Sequence, residues 1–173
     1  LQKGFSLTHL NLQNNDFQEE HIYDIIHLVA APGAPPNLFL RSNPLLFQDL
    51  GGVRSFAKAV ARSHLSMLDI RESYLHYEHY EILVSAMPSW HSLEKLDMIQ
   101  YSASRPRSLP WEADLLKYLS AANLTSLAID SFSSCQEVIQ ALEGNDRLLT
   151  LVIPHLSSAA GTQYSRDAET TIA

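Results

Sequence analysis

Leucine and other large apolar residues recur in a pattern that the first part of the chain shows most fully. From Leu7 to Phe17 the sequence reads LTHLNLQNNDF, with apolar residues at its first, fourth, sixth and eleventh positions and Asn15 at the ninth. Leu10 and Leu12 alternate with polar neighbours, which is the pattern of a short strand with one buried face. The pattern therefore predicts a strand followed by a turn.

Five further copies of this pattern follow the first. The first core position of each copy lies at residues 10, 38, 68, 96, 127 and 151, so the steps are 28, 30, 28, 31 and 24 residues. Self-similarity at such a period is typical of solenoid proteins, in which each repeat buries its apolar side against its neighbours. Equivalent strands in successive repeats are expected to pair in parallel, which requires a crossover between them.

Each crossover carries the three- and four-residue spacing of an amphipathic helix. The apolar positions with this spacing are Ile22, Ile25, Ile26 and Leu28; Val53, Phe56 and Val60; Tyr80, Leu83 and Met87; Leu115, Leu116 and Leu119; and Val138, Ile139 and Leu142. Pro110 stands where the fourth helix begins, and Gly144 is a stop signal after the fifth. The chain is thus predicted to be an α/β protein of about six strand–helix repeats.

This combination resembles the ribonuclease-inhibitor-like subclass of leucine-rich-repeat proteins, over about residues 5–156. The resemblance implies a solenoid with a curved parallel sheet and helices on its convex side. We expect a repeat domain over residues 1–156 and a polar, poorly ordered tail over residues 157–173. Because no polar cap precedes the first repeat and the chain opens with Leu1, we expect it to be part of a longer solenoid.

The later repeats depart from the pattern. The turn position reads Asn15, Asn43, Ser73, Tyr101, Phe132 and Leu156. A ladder of polar turn residues is therefore predicted to end after the third repeat, and the later turns must be built differently. The fourth repeat also carries an insert at residues 102–108, which we expect to be a surface loop. Arg105 and Arg107 give this loop a local positive charge, so a contact site there is the alternative to a solvated loop.

Composition and charge narrow the class of partner. The 173 residues are 46% hydrophobic, with a formal net charge of −7 and a pI of about 5.5. An acidic chain is disfavoured as a general nucleic-acid binder and as a protein that docks on anionic lipid. The longest apolar stretches, such as residues 25–31, are too short to span a bilayer. We therefore expect a protein partner, no nucleic acid and no membrane, while the oligomeric state stays open. The single cysteine, Cys135, fits a reducing compartment and predicts a cytoplasmic location, in its own cell or, for an effector, in a host cell.

The residue types that carry chemistry lack the spacing that chemistry requires. His76, Glu78 and His79 give the order H-x-E-H, which matches neither of the zinc motifs H-E-x-x-H and H-x-x-E-H. Neither a G-x-S-x-G element nor a phosphate-binding glycine motif occurs in the sequence. Cys135 fits a structural residue better than a nucleophile. The sequence therefore predicts no enzyme, no cofactor and no metal.

The outward positions of the strands carry the candidate binding residues. Six of them, in repeats two to four, form what we call the central patch: Phe39, Arg41, Met67, Asp69, Arg71 and Asp97. Apolar side chains with arginine beside them are typical of interface hot spots, and the alternative is a solvated sheet face with two stray apolar residues. We predict that the patch binds a protein with an acidic and apolar epitope. The two arginines need acidic groups nearby, from Asp69, Glu72 or the partner.

The family resemblance implies a role as a protein-interaction scaffold within a larger protein, such as a ubiquitin-ligase adaptor, a receptor-like sensor or a microbial effector. Some relatives of this subclass are GTPase-activating proteins, so a GTPase-regulating domain is the alternative. Asn15 and Arg41 lie in the predicted strand-exit loops, from which such a side chain would assist phosphoryl transfer.

Overall fold

Strands and helices alternate along the chain in the computed structural model. The structure describes residues 7–100, 110–119, 123–129, 131–132, 135–143, 145–153, 155–156 and 171–172. The elements in chain order are β1 (His9–Asn11), α1 (Ile22–Ala30), β2 (Asn37–Phe39), α2 (Leu50–Ala61), β3 (Met67–Asp69), α3 (Tyr77–Ala86), β4 (Lys95–Asp97), α4 (Pro110–Leu119), β5 (Ser126–Ala128), β6 (Ser131–Phe132), α5 (Cys135–Leu142), β7 (Thr150–Val152), β8 (His155–Leu156) and β9 (Thr171–Ile172). Single turns of 3-10 helix precede α1 and follow α3.

The main sheet runs in the order β1-β2-β3-β4-β5-β7, and each of these neighbours pairs in parallel. The partners in register at the strand centres are Leu10, Leu38, Leu68, Leu96, Leu127 and Leu151. These leucines are the first core positions of the six sequence copies. The predicted fold class, with six parallel strands alternating with helices, is confirmed.

Two smaller pairings complete the sheet structure. β9 adds an antiparallel seventh strand beside β7, and β6 and β8 form a separate parallel pair. β9 falls within the range 157–173 that we expected to be a poorly ordered tail, and residues 157–170 lie outside the described residues. The boundary at residue 156 stays a prediction.

The helices lie together on one side of the sheet, because each helix contacts the next along the chain. The inward side chains of the sheet and the apolar side of the helices form one core, in which Leu40, Ile70 and Phe56 are fully buried. Packed helices need about 8–10 Å between axes, whereas paired strands need only about 4.8 Å. Because each repeat supplies one strand and one helix, the helix layer is longer than the strand layer, and the solenoid curves with the strands on the inside. The helix-free face of the sheet is the concave face.

The turn that leaves each of the first three strands has the same backbone geometry. Asn14, Ser42 and Glu72 follow their strand centres by four residues and have positive φ angles of 56°, 57° and 53°. Non-glycine residues seldom adopt this left-handed conformation, so the surrounding bonds must hold it. The backbone N–H groups of Asn14, Ser42 and Glu72 each donate to a carbonyl of the following repeat, at 3.0, 2.9 and 3.0 Å. This ladder orients the residues at the strand exits.

A buried amide connects the turns of neighbouring repeats. The Nδ2 group of Asn43 donates to the carbonyls of Leu12 at 2.9 Å and Leu40 at 2.7 Å, and its Oδ1 atom accepts from the backbone N–H of Asn15 at 3.0 Å. Asn43 is fully buried, so these bonds satisfy polar groups that would otherwise be costly to bury.

The turn of the fourth repeat is built differently from the earlier ones, as predicted, but the polar bonding that was predicted to end after the third repeat continues there. The Nε2 group of Gln100 donates to the carbonyls of Ile70 at 3.1 Å and Met98 at 3.3 Å. These are the same two acceptor positions, in the preceding strand and in its own, that Asn43 uses. Gln100 precedes the expected turn residue, Tyr101, by one position, and its longer side chain spans the difference. Tyr101 itself, the insert at 102–108 with Arg105 and Arg107, and Gly144 lie outside the described residues.

Candidate functional site

The strand register brings the residues of the central patch side by side. Phe39 lies opposite Asp69, and Asp69 lies opposite Asp97, on three successive parallel strands. Met67 lies one outward position before Asp69 on the same strand. Because β-strand side chains alternate, all of these residues share the helix-free face of the sheet. The alternation and the register thus place the charged and apolar side chains together on one surface.

One guanidinium group contacts two carboxylates at the centre of the patch. Arg71 donates from Nε to Oδ1 of Asp69 at 3.0 Å and from Nη2 to Oδ2 at 2.6 Å, a bidentate pair. The Nε atom of Arg71 also lies 3.1 Å from Oδ2 of Asp97. The side chain of Asp69 is 1% exposed and that of Asp97 is 22% exposed. A charge as deeply buried as that of Asp69 requires such a partner.

The second arginine is paired at the strand exit. Arg41 donates from Nε and Nη2 to the carboxylate of Glu72 at 3.1 and 2.9 Å, and the hydroxyl of Ser42 donates to the same carboxylate at 2.7 Å. These bonds lower the pKa of Glu72 and raise that of Arg41. Glu72 entered the sequence prediction only as a possible counter-charge, and the structure makes it the anchor of Arg41. Both guanidinium groups of the patch therefore already have acidic partners within the chain.

The guanidinium groups of the patch are shared unequally among the carboxylates around them. Arg41 pairs with Glu72, whereas Arg71 contacts both Asp69 and Asp97, and Lys95 is exposed on the same face one outward position before Asp97. Burial above all, together with the nearby charge of Asp69, raises the pKa of Asp97 to about 6 despite the attraction of Arg71. Of these three carboxylates, Asp97 is thus the one that the described residues compensate least.

Apolar side chains flank the charged centre. The ring of Phe39 is half-buried and stacks on the ring of His9, with 6.3 Å between centroids and 11° between planes. Met67 is half-buried, and Ile99 and Ala128 are buried beside Asp97. Large, partly buried apolar side chains next to fixed charged groups make up the kind of surface on which hot spots form.

The residues weighed for chemistry have structural roles where the structure describes them. The backbone N–H of His76 donates to Nδ1 of His79 at 2.8 Å, which caps the start of α3. His79 is buried, and that burial lowers its pKa. Within the described ranges, no group of three or more His, Cys, Asp or Glu residues is placed to hold a metal ion. The side chain of Cys135, at the first residue of α5, lies outside the described part.

A groove at the strand-exit edge was not foreseen from the sequence. It has a volume of about 480 Å³ and is lined by Asp16, Ser42, Pro44, Glu72, Tyr74, Leu75, His76 and Gln100. Glu72 and Ser42 belong both to this groove and to the Arg41 ion pair. Residues of the left-handed turns, such as Ser42 and Glu72, line this groove. A single sequence does not show which non-glycine residues have a positive φ, so the groove could not be predicted.

Comparison with known proteins supports the fold. No protein-family model and no curated protein matches the chain. Among solved structures, the C-terminal domain of tropomodulin from Caenorhabditis elegans, a leucine-rich-repeat-type domain, matches with a TM-score of 0.64 and 18% sequence identity. The match covers 80% of this chain and 84% of that one. The helices of the described residues include none with the length and apolarity needed to cross a membrane.

Proposed function

We propose that this chain is a protein-binding scaffold whose concave sheet face holds a macromolecular partner through the central patch. The observation that carries the proposal is the fixed arrangement of Arg71, Asp69 and Asp97 between half-buried apolar side chains. Solenoids of this kind use their concave surface for binding. Side chains already held by bidentate ion pairs lose little freedom when a partner docks, which favours affinity.

The same observations support a binding role over a catalytic one. The hydroxyl of Ser42 donates to the carboxylate of Glu72, but Arg41 pairs with the same carboxylate, and these bonds lower the pKa of Glu72 and make it a weak base. The described contacts of Arg41 and Asn15 do not favour the GTPase-regulating alternative either. Arg41 would have to leave the carboxylate of Glu72 to reach a nucleotide, and the side chain of Asn15 donates to the carbonyl of Gln13 at 3.0 Å. The cytoplasmic location stays a prediction.

The experiment compares captured proteins between matched variants of the intact chain. Parent protein, Phe39→Ala and Lys58→Ala serve as baits, and bound proteins are quantified by mass spectrometry. Lys58 is exposed on α2, on the helical side of the domain, and is a control for surface changes in general. We expect at least one partner to be depleted with Phe39→Ala and retained with Lys58→Ala. Equal capture by all three baits would refute binding through this face.

A further inference from the structure

The charge arrangement of the concave face indicates what a partner must bring. The arginines of the central patch have partners in the chain, and Arg71 holds the nearly inaccessible carboxylate of Asp69. An acidic partner would compete with Asp69 and Asp97 for the guanidinium of Arg71. To the extent that it drew Arg71 away, it would leave Asp69 buried without its cation, which is strongly unfavourable. These ion pairs, which the sequence does not show, therefore disfavour the acidic epitope expected from the sequence.

Asp97 has the opposite properties. It shares the Nε atom of Arg71 with Asp69, and from the described residues its Oδ1 atom accepts one long bond of 3.4 Å, from the backbone N–H of Ile99. A carboxylate has about four acceptor positions, so Asp97 retains capacity for further donors. Its side chain is 22% exposed, which leaves it reachable from the concave face.

We infer that the partner inserts a single basic side chain, preferably arginine, beside Asp97, with an apolar residue next to it. This inference rests on the proposed function of the concave face. A guanidinium donates two parallel bonds to a carboxylate, which an ammonium group does not. The stem of the incoming side chain would lie over Ile99 and Ala128, and the apolar neighbour over Met67 and Phe39.

The surroundings of Asp97 also limit how many basic residues fit. Lys95 is exposed on the same strand, one outward position before Asp97, and faces the same side of the sheet. A second basic residue placed along that strand would meet this charge and be repelled. The patch thus selects one basic residue in an apolar context over a run of basic residues.

The test selects peptides from a random-sequence display library on the intact chain, with selections on Asp97→Asn, Phe39→Ala and the control Asp24→Asn in parallel. Asp24 is exposed on α1, so its replacement removes one carboxylate remote from the patch. We expect peptides with one arginine or lysine beside an apolar residue. Their affinity should fall at least about tenfold on Asp97→Asn and stay unchanged on Asp24→Asn.

A synthetic peptide completes the test without depending on how a variant folds. Replacing the selected arginine by citrulline, which has the same shape without the charge, should weaken binding to the parent chain at least about tenfold. The same replacement should have little further effect on Asp97→Asn. Peptides that need Phe39 but bind citrulline and arginine equally well would overturn the basic-residue inference and leave the binding face standing. A selection without any peptide sensitive to Phe39→Ala or Asp97→Asn would overturn both.

Discussion

Asp69 and Asp97 lie opposite each other on adjacent parallel strands and share the guanidinium of Arg71. The two carboxylates differ in how they are compensated. Asp69 holds two bonds from the guanidinium of Arg71, whereas Asp97 has one contact with it, a long bond from the backbone N–H of Ile99, and a pKa raised to about 6, chiefly by burial. The charge of Asp69 is thus well compensated and that of Asp97 is not. Removing the two carboxylates should therefore have opposite effects on the free energy of unfolding.

Replacing Asp97 by Asn should stabilise the protein near neutral pH. A folded pKa of about 6, above the usual value of 3.8, means that the folded state holds the proton more tightly than the unfolded state. The contribution of Asp97 to stability therefore falls as pH rises from about 4 to about 6. Asp97→Asn should raise the free energy of unfolding by about 1–3 kcal/mol at pH 7.5 and by much less at pH 4.5.

Urea denaturation at several pH values measures this effect. The charged groups that the structure describes around Asp97 are Asp69 on the neighbouring strand β3, Arg71 just past the end of that strand, Lys95 on the same strand as Asp97, and the Arg41–Glu72 pair beyond them. Asp24→Asn is the control and should leave the pH dependence unchanged. A stability profile of Asp97→Asn parallel to that of the parent between pH 4 and 7 would show that Asp97 titrates normally.

Replacing Asp69 by Ala should instead destabilise the protein. The change leaves Arg71 with the partly exposed Asp97 as its remaining acidic partner in the patch, and the loss of a buried partner costs about 3–5 kcal/mol. Because Asp97 compensates in part, we expect about 2–4 kcal/mol at pH 7. Glu72→Gln is the matched comparison, since the Arg41–Glu72 pair is 29–37% exposed and such pairs contribute about 0–1 kcal/mol. Equal losses for the two variants would contradict the assigned difference in burial.

The turn amides give a third prediction. Gln100→Ala should destabilise by about 1–3 kcal/mol, because the carbonyls of Ile70 and Met98 lose a buried donor. Gln100→Asn should restore little of this, because the shorter side chain begins one residue too early to reach both carbonyls. Thermal unfolding of the two variants, with Gln48→Ala as a control at an exposed glutamine, measures the effect. Full stability of Gln100→Asn would show that reach is not the reason for glutamine here.

Gln100 also shows where the sequence is and is not informative. The strand centres and helices follow from spacing alone, since Leu38, Leu68 and Leu96 must share one buried face in any parallel pairing of the copies. The sequence pattern could predict the polar turn residue only where that residue has the same position in its repeat, as at Asn43. A glutamine one residue earlier performs the same bonding, and a template that compares single positions misses such a shift.

The candidate site could be predicted from the sequence to a similar extent. Alternation places Phe39, Asp69 and Asp97 on one face, and their adjacency follows from the register. Alternation alone also suggests that Asp69 is accessible, yet it is 1% exposed. Side-chain pairing decides the polarity of the surface, and pairing depends on rotamers and burial that strand periodicity does not contain. The sequence could therefore place these residues on one face but could not show how they pair with one another.

Leu40→Ala tests the core register. Leu40 is fully buried between repeats, so the lost transfer energy and the cavity should cost about 2–5 kcal/mol. Leu12→Ala, at the equivalent position of the first repeat, should cost less, because Leu12 is only half-buried. Chemical denaturation of both variants measures the difference. A loss below about 0.5 kcal/mol for Leu40→Ala, which is typical of a surface change, would contradict the register.

Measurements of binding affinity and stability should distinguish the role of Phe39 from that of Arg71, although the sequence pattern places both in the same patch. Phe39→Ala removes a half-buried ring stacked on His9, so it should weaken a captured partner by at least about 1–2 kcal/mol while the fold loses less. Arg71→Ala should weaken binding too, but it also leaves Asp69 buried without its bidentate donor and should lower stability. Calorimetric titration, with the folded fraction of each variant measured by denaturation, distinguishes the two effects. If Phe39→Ala binds as tightly as Lys58→Ala and the parent, the concave face is not the contact surface. In that case the insert at residues 102–108, with Arg105 and Arg107, becomes the next region to mutate.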